Sequence, residues 1–184
     1  MKPDPKAPRR PPPPLDPARL ERLALRYVER FATTRGKLVD YLRRKIRERG
    51  WEGVPADPVA LAERMAALGY IDDLAYAQSK AASLGRRGLG ARRVSGALML
   101  ARVDEADREA VAPEVAERAV DAALAFAKRK RLGPWGKGDG DQVQDRAGRE
   151  KQLAAMLRAG HPMDLSRHIL ALPPGIVPDA DELE

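Results

Sequence analysis

The sequence contains no cysteine, only two histidines, few aromatic residues and no long apolar run. Without cysteine there are no disulfides and no thiolate metal sites, as suits a protein of the reducing cytoplasm. His161 and His168 lie on either side of Pro162 and are not the i,i+4 pair of a helical metal centre, so both read as surface or cap residues and no metal is expected. No stretch approaches the roughly 20 apolar residues of a membrane helix, and the N-terminus lacks the apolar centre of a signal peptide. A soluble, cytoplasmic protein with no membrane partner is expected. Catalytic constellations are also missing. Asp72 and Asp73 are adjacent carboxylates, but on a turn they suit helix capping better than acid–base chemistry. The glycines from 133 to 140 precede no Gly-Lys-Ser/Thr triplet, so they form no phosphate loop, and Val143 and Gln144 spoil a calcium loop there. We expect no enzyme and no cofactor.

What the chain does have is positive charge and helical periodicity. A net charge of +7 implies attraction to an anionic partner such as nucleic acid or a protein–nucleic-acid assembly. Alanine, leucine, arginine and glutamate fill the apolar-periodic runs, with no alternating strand pattern.

In chain order, residues 1–15 read as a disordered, proline-rich basic leader. Asp16 and Pro17 open a helix with an inward stripe of Leu20, Leu23, Ala24, Tyr27, Val28 and Phe31. A second helix follows Thr34, with Leu38, Tyr41, Leu42 and Ile46 inward and Arg43, Arg44 and Arg47 among its basic residues. A third buries Val59, Leu61, Ala62, Met65 and Leu68, and Gly69 closes it. Next come a helix with Leu74, Ala77, Ala81 and Leu84 inward, a break at Gly88 and Gly90, and a helix with Val94, Ala97, Leu98 and Ala101 inward. A sixth helix, capped by Asp104, is expected to end before Pro113, because the residue preceding proline disfavours helical geometry. A seventh carries Val115, Ala119, Ala122, Ala123 and Phe126, an eighth Leu153, Met156 and Leu157, and a ninth Leu165, Ile169 and Leu172.

Residues 35–51, 87–103 and 146–161 each pair a basic start with a leucine-type stripe, recurring about every fifty residues, the signature of internal repetition. The expected fold is all-α: three tandem three-helix repeats, about nine helices, forming an elongated, curved array in which neighbours share core. Repeats occupy 16–69, 70–115 and 116–172, the last with a glycine-rich loop over 133–145, before an acidic tail over 173–184.

The organising stretch is 68–103, in which no acidic residue stands between Asp73 and Asp104. Lys80, Arg86, Arg87, Arg92, Arg93 and Arg102 fall within that acid-free span. Leu68, Gly69, Tyr70, Ile71, Asp72 and Asp73, followed by Arg86, Arg87, Gly88, Gly90, Arg92, Arg93, Val94 and Leu98, form a pattern that resembles the second repeat of the RecX family, bacterial regulators of the RecA recombinase. Four positions depart from it: Leu89 replaces a usual basic residue, Ala91 a usual proline, and Ala101 and Arg102 the Lys-Gly pair that normally closes the next helix. The resemblance extends from about residue 20 to residue 172, more weakly in the third repeat. It implies a non-enzymatic regulator, expected to be a monomer, that binds the RecA–single-stranded-DNA filament and restrains its ATPase, strand-exchange and coprotease activities in recombination, DNA repair and the SOS response. Arg86, Arg87, Arg92 and Arg93, seconded by Lys80, Arg43, Arg44 and Arg47, are the expected partner contacts. Gly69, Asp72, Asp73, Gly88 and Gly90 are the expected turn residues. Two other classes fit the charge: a stand-alone nucleic-acid-binding helical module, and a helical scaffold for protein partners. No base-reading Asn or Gln stands among the arginines, which argues against sequence-specific DNA reading.

Overall fold

The computed structural model describes residues 12–136, 146–173 and 175. Among them are nine α-helices, one 3-10 turn and no strand. The helices are α1 (Pro17–Arg30), α2 (Arg35–Arg49), α3 (Pro58–Ala67), α4 (Asp73–Arg86), α5 (Ala91–Leu100), α6 (Glu105–Glu117), α7 (Ala119–Lys130), α8 (Arg146–Ala159) and α9 (Met163–Ala171), with the 3-10 turn at Gly133–Trp135. None is long and apolar enough to cross a membrane. The expected all-α architecture of three-helix repeats holds. The acidic tail and most of the glycine-rich loop lie outside the described residues.

Helix starts follow capping chemistry. The Asp16 carboxylate accepts from the Arg19 amide at 2.7 Å, the Thr34 hydroxyl from Lys37 at 3.1 Å, and the Asp104 carboxylate from Asp107 at 2.9 Å. Each satisfies an amide that the first helical turn leaves open.

The chain forms two compact units, one ending at Asp72 and the other beginning at Asp73. The first holds α1–α3 around Leu20, Ala24, Leu38, Leu42, Leu61, Ala62, Met65 and Ile71. Leu15, expected in a disordered leader, is fully buried in this core. Its amide donates to Gly50 and its carbonyl accepts from Glu52, while the Arg49 guanidinium donates to the Pro13 carbonyl. Burial of one leucine plus these bonds fixes residues that composition alone marks as loose.

The second unit has two cores. Ala77, Ala81, Leu84, Val94, Leu98, Val103 and Val111 form one; Ala123, Phe126, Ala127, Met156, Ala159 and Ile169 form the other. Leu89 packs against both and joins the second repeat to the third. Small residues, Ala77 and Ala81 on α4 and Ala123 and Ala127 on α7, let the helix backbones approach closely.

Several expectations from periodicity need correction. Helix α6 does not end before Pro113 but runs through it to Glu117. Val111 is buried and Val115 half-buried against the same core, one turn apart, so packing carries the helix past a residue that removes a hydrogen bond. The seventh helix accordingly starts at Ala119 and leaves Val115 in the sixth. Phe31, Val59, Leu68 and Leu74, placed inward by helical spacing, are 49%, 45%, 62% and 37% exposed. They sit at helix ends, where the stripe outruns the neighbouring helix.

The unusual Ala101–Arg102 ending also has a geometric outcome. Arg102 takes φ +58, the left-handed conformation in which a glycine is usual. The Arg102 amide donates to Met99 and the Val103 amide to Leu98, closing α5 in the ordinary way. Because a side chain in that region costs roughly 1–2 kcal/mol, Arg102→Gly is expected to raise stability by about 1 kcal/mol. A urea titration reads this as a higher midpoint at unchanged slope.

Candidate partner-binding corner

The corner between α4 and α5 begins with the end of α4. The Gly88 amide donates to the Gly85 carbonyl at 2.7 Å and the Leu89 amide to Leu84 at 3.1 Å, with Gly88 at φ +72. This is the glycine-closed helix end that the sequence pattern implies.

The corner is not free-standing. The Gly90 amide donates to the Ala159 carbonyl at 2.9 Å and the Arg92 amide to Gly160 at 3.3 Å, so it is bonded to the α8–α9 turn. A Cβ on Gly90 would lie 2.5 Å from the Gly160 carbonyl atoms, and one on Gly88 would lie 2.7 Å from the Phe126 amide nitrogen. Two stretches of backbone therefore touch with no room for a side chain. Gly90 itself has an ordinary φ of −80, and close approach alone requires glycine there.

Of the predicted contact residues, Arg86, Arg87, Arg92, Arg93 and Lys80 are all exposed. Arg92 is nevertheless used internally: its guanidinium donates to the Leu157 carbonyl at 2.9 Å. That carbonyl lies in the last turn of α8 and also accepts from the Gly160 amide at 3.1 Å, and a cation there meets the negative end of the helix dipole. Arg86, Arg87 and Arg93 make no ion pair with any described acidic side chain. Arg86 lines a cleft of about 300 Å³ together with apolar Ala81, Leu89, Val94 and Val115 and charged Glu114 and Asp121.

Arg43, Arg44 and Arg47 belong to α2 in the other unit and are exposed. Arg44 pairs with Glu48 at 3.6 Å and lies 5.6 Å from the centre of the Tyr41 ring. Lys45, Arg44 and Arg47 together hold the Glu48 carboxyl below its usual range, with the Lys45 hydrogen bond the largest cause. Gly69 ends α3 at φ +80, Asp72 precedes α4, and Asp73 is its first residue, with its side chain buried.

Two further residues build the corner without any signal in its own stretch of sequence. Arg129 of α7 donates to the Arg87 carbonyl and lies over the Phe126 ring. His161, expected at the surface, is only 4% exposed. Its Nε2 is 3.2 Å from the Gly88 carbonyl and its ring packs against Phe126. Because a carbonyl only accepts, Nε2 carries the proton, while Nδ1 is buried without a partner and burial favours the neutral ring. Nothing near His161 in the chain marks this burial, since Gly88 is far away in sequence.

Burial lowers the pKa of His161 below its ordinary 6.5, opposed by the bond to Gly88. The unfolded imidazole thus takes a proton before the folded one does. His161's contribution to stability is intact above about pH 6.5, declines as the pH falls toward the lowered folded value, and levels off below it. Denaturant midpoints between about pH 7.5 and pH 5 should show this slope in the wild type and lose it in His161→Gln; an identical slope in both would assign the effect elsewhere.

No family model matches the chain. A curated relative, the Regulatory protein RecX of Myxococcus xanthus (strain DK1622), is 34% identical over 179 residues, covering 90% of this chain and 89% of that protein. With a match over nine-tenths of its length, the chain belongs to the RecX family of regulatory proteins.

Proposed function

We propose that this protein binds the RecA–single-stranded-DNA filament as a monomer in the cytoplasm and lowers its ATPase, strand-exchange and coprotease activities. The observation that carries the reading is family membership over nine-tenths of the chain. The arginine corner supports it: Arg86, Arg87 and Arg93 are exposed, without acidic partners among the described residues, on a backbone fixed by the α8–α9 turn. Rigid presentation lowers the entropy lost when such side chains meet phosphate or carboxylate. Arg92 then acts chiefly as the residue that holds the corner in place, Lys80 adds a further exposed cation on α4, and the α2 arginines give the other unit basic residues of its own. Regulation needs no chemistry from this chain, only differential binding to states of the filament.

Co-sedimentation tests the partner. The protein should pellet with RecA filaments on single-stranded DNA at concentrations where it does not pellet with that DNA alone, and less so as salt rises. Equal pelleting with bare DNA would favour an independent nucleic-acid-binding module instead.

A further inference from the structure

The α1–α2 unit carries an aromatic seam that the arginine corner does not explain. Tyr27 and Tyr41 stack with ring centres 4.3 Å apart and planes 21° from parallel. Phe31, just past the end of α1, continues the row 5.3 Å from Tyr27 and is 49% exposed. In a chain with so few aromatics, three stand in one row, and its end residue Phe31 is half-exposed.

Cations lie along this row. The Arg30 guanidinium is 5.3 Å from the Phe31 ring centre, and Arg44 and Lys45 are 5.6 and 5.9 Å from that of Tyr41. At about 100° per residue, Arg26 and Arg30 fall on the Tyr27 flank of α1, whereas Glu21, paired with Arg64 of α3, falls on the other flank. Arg22, Arg26 and Arg30 form a row of like charges at i,i+4 spacing, without acidic partners among the described residues. Such a row opposes the helix unless an anion meets it. Glu48, one turn beyond Arg44 on α2, is already engaged by Lys45 and Arg44.

We propose that Phe31, backed by the Tyr27–Tyr41 pair and flanked by Arg26 and Arg30, is a base-stacking platform for single-stranded nucleic acid. A half-exposed aromatic ring beside a track of guanidinium groups matches the alternation of bases and phosphates in a single strand. Duplex DNA keeps its bases stacked and offers none to the platform. The inference does not depend on the filament reading, because it concerns bare strands.

The test is fluorescence anisotropy of the full-length protein with a labelled oligothymidylate and with an abasic strand of equal length. The thymidylate is expected to bind about 5- to 150-fold more tightly, the value of one base–aromatic stack. Phe31→Ala and Phe31→Leu should erase that difference and Phe31→Trp should keep it, at unchanged thermal stability. Equal affinity for the two strands, or a leucine variant that binds like the wild type, would overturn the platform. So would a Phe31→Ala protein that loses filament binding but keeps its oligonucleotide affinity, which would make the seam a protein contact. RecA ATPase inhibition is scored separately and neither supports nor rescues it.

Discussion

Gly160→Ala is expected to destabilise the unit that begins at Asp73 by on the order of 3 kcal/mol or more. Gly160 has φ +96, where an L side chain is strained, and a Cβ there would sit 2.6 Å from the Arg93 amide nitrogen. The obstacle is backbone at the first turn of α5, so relief requires moving the helix or parting Gly90 from Ala159. Gly90→Ala meets the same seam from the other side, 2.5 Å from the Gly160 carbonyl atoms, and should be comparably damaging. Two controls separate crowding from backbone conformation. Gly69→Ala has a positive φ but nothing within 4 Å, and should cost about 1 kcal/mol. Gly85→Ala lies within α4 in open space, and should stabilise by about 0.5–1 kcal/mol. Chemical denaturation of the four variants gives the order; a Gly160→Ala protein no worse than Gly69→Ala would mean that the backbones do not pack this closely.

Arg86→Ala, Arg87→Ala and Arg93→Ala combined should weaken inhibition of the filament by at least about tenfold, roughly 0.5 kcal/mol for each exposed charge removed. Stability should stay within about 0.5 kcal/mol of the wild type, as expected for exposed side chains that the fold does not use. If phosphate is the counterpart, the salt dependence of binding should flatten by about one unit of slope for each phosphate no longer neutralised. Arg92→Ala is the contrasting variant: it removes the bond to the Leu157 carbonyl and should cost about 1 kcal/mol of stability. A triple variant with undiminished inhibition would remove this corner from the binding surface, whereas an Arg92→Ala protein of full stability would return Arg92 to the arginines available to a partner.

Much of the fold is written locally. Asp16, Thr34 and Asp104 cap helices because a short acceptor side chain precedes an apolar-periodic run, and Leu38 and Leu42, or Val94 and Leu98, are buried because they share one helix face. The remainder depends on packing between distant segments. Pro113 stays helical because Val111 and Val115 pack on the α4–α5 core. Phe31 and Leu68 look inward by spacing but lie where no neighbouring helix covers them. At the corner, the motif identifies the right residues as a group but cannot divide their labour. Arg92 turns toward a carbonyl supplied by the third repeat, and His161 is buried by a glycine of the second. Arg102 shows the reverse case, in which a departure from the expected Lys-Gly leaves the backbone path intact at the cost of a strained φ.

If this chain acts on the filament rather than on DNA, RecA ATP hydrolysis on single-stranded DNA should respond to it directly. The measurement is a titration of the protein into that reaction, at protein concentrations too low to coat the DNA. Hydrolysis should fall in that range for the wild type, and should need far more of the Arg86, Arg87 and Arg93 triple variant. Unchanged hydrolysis until the DNA itself is saturated would contradict action on the filament.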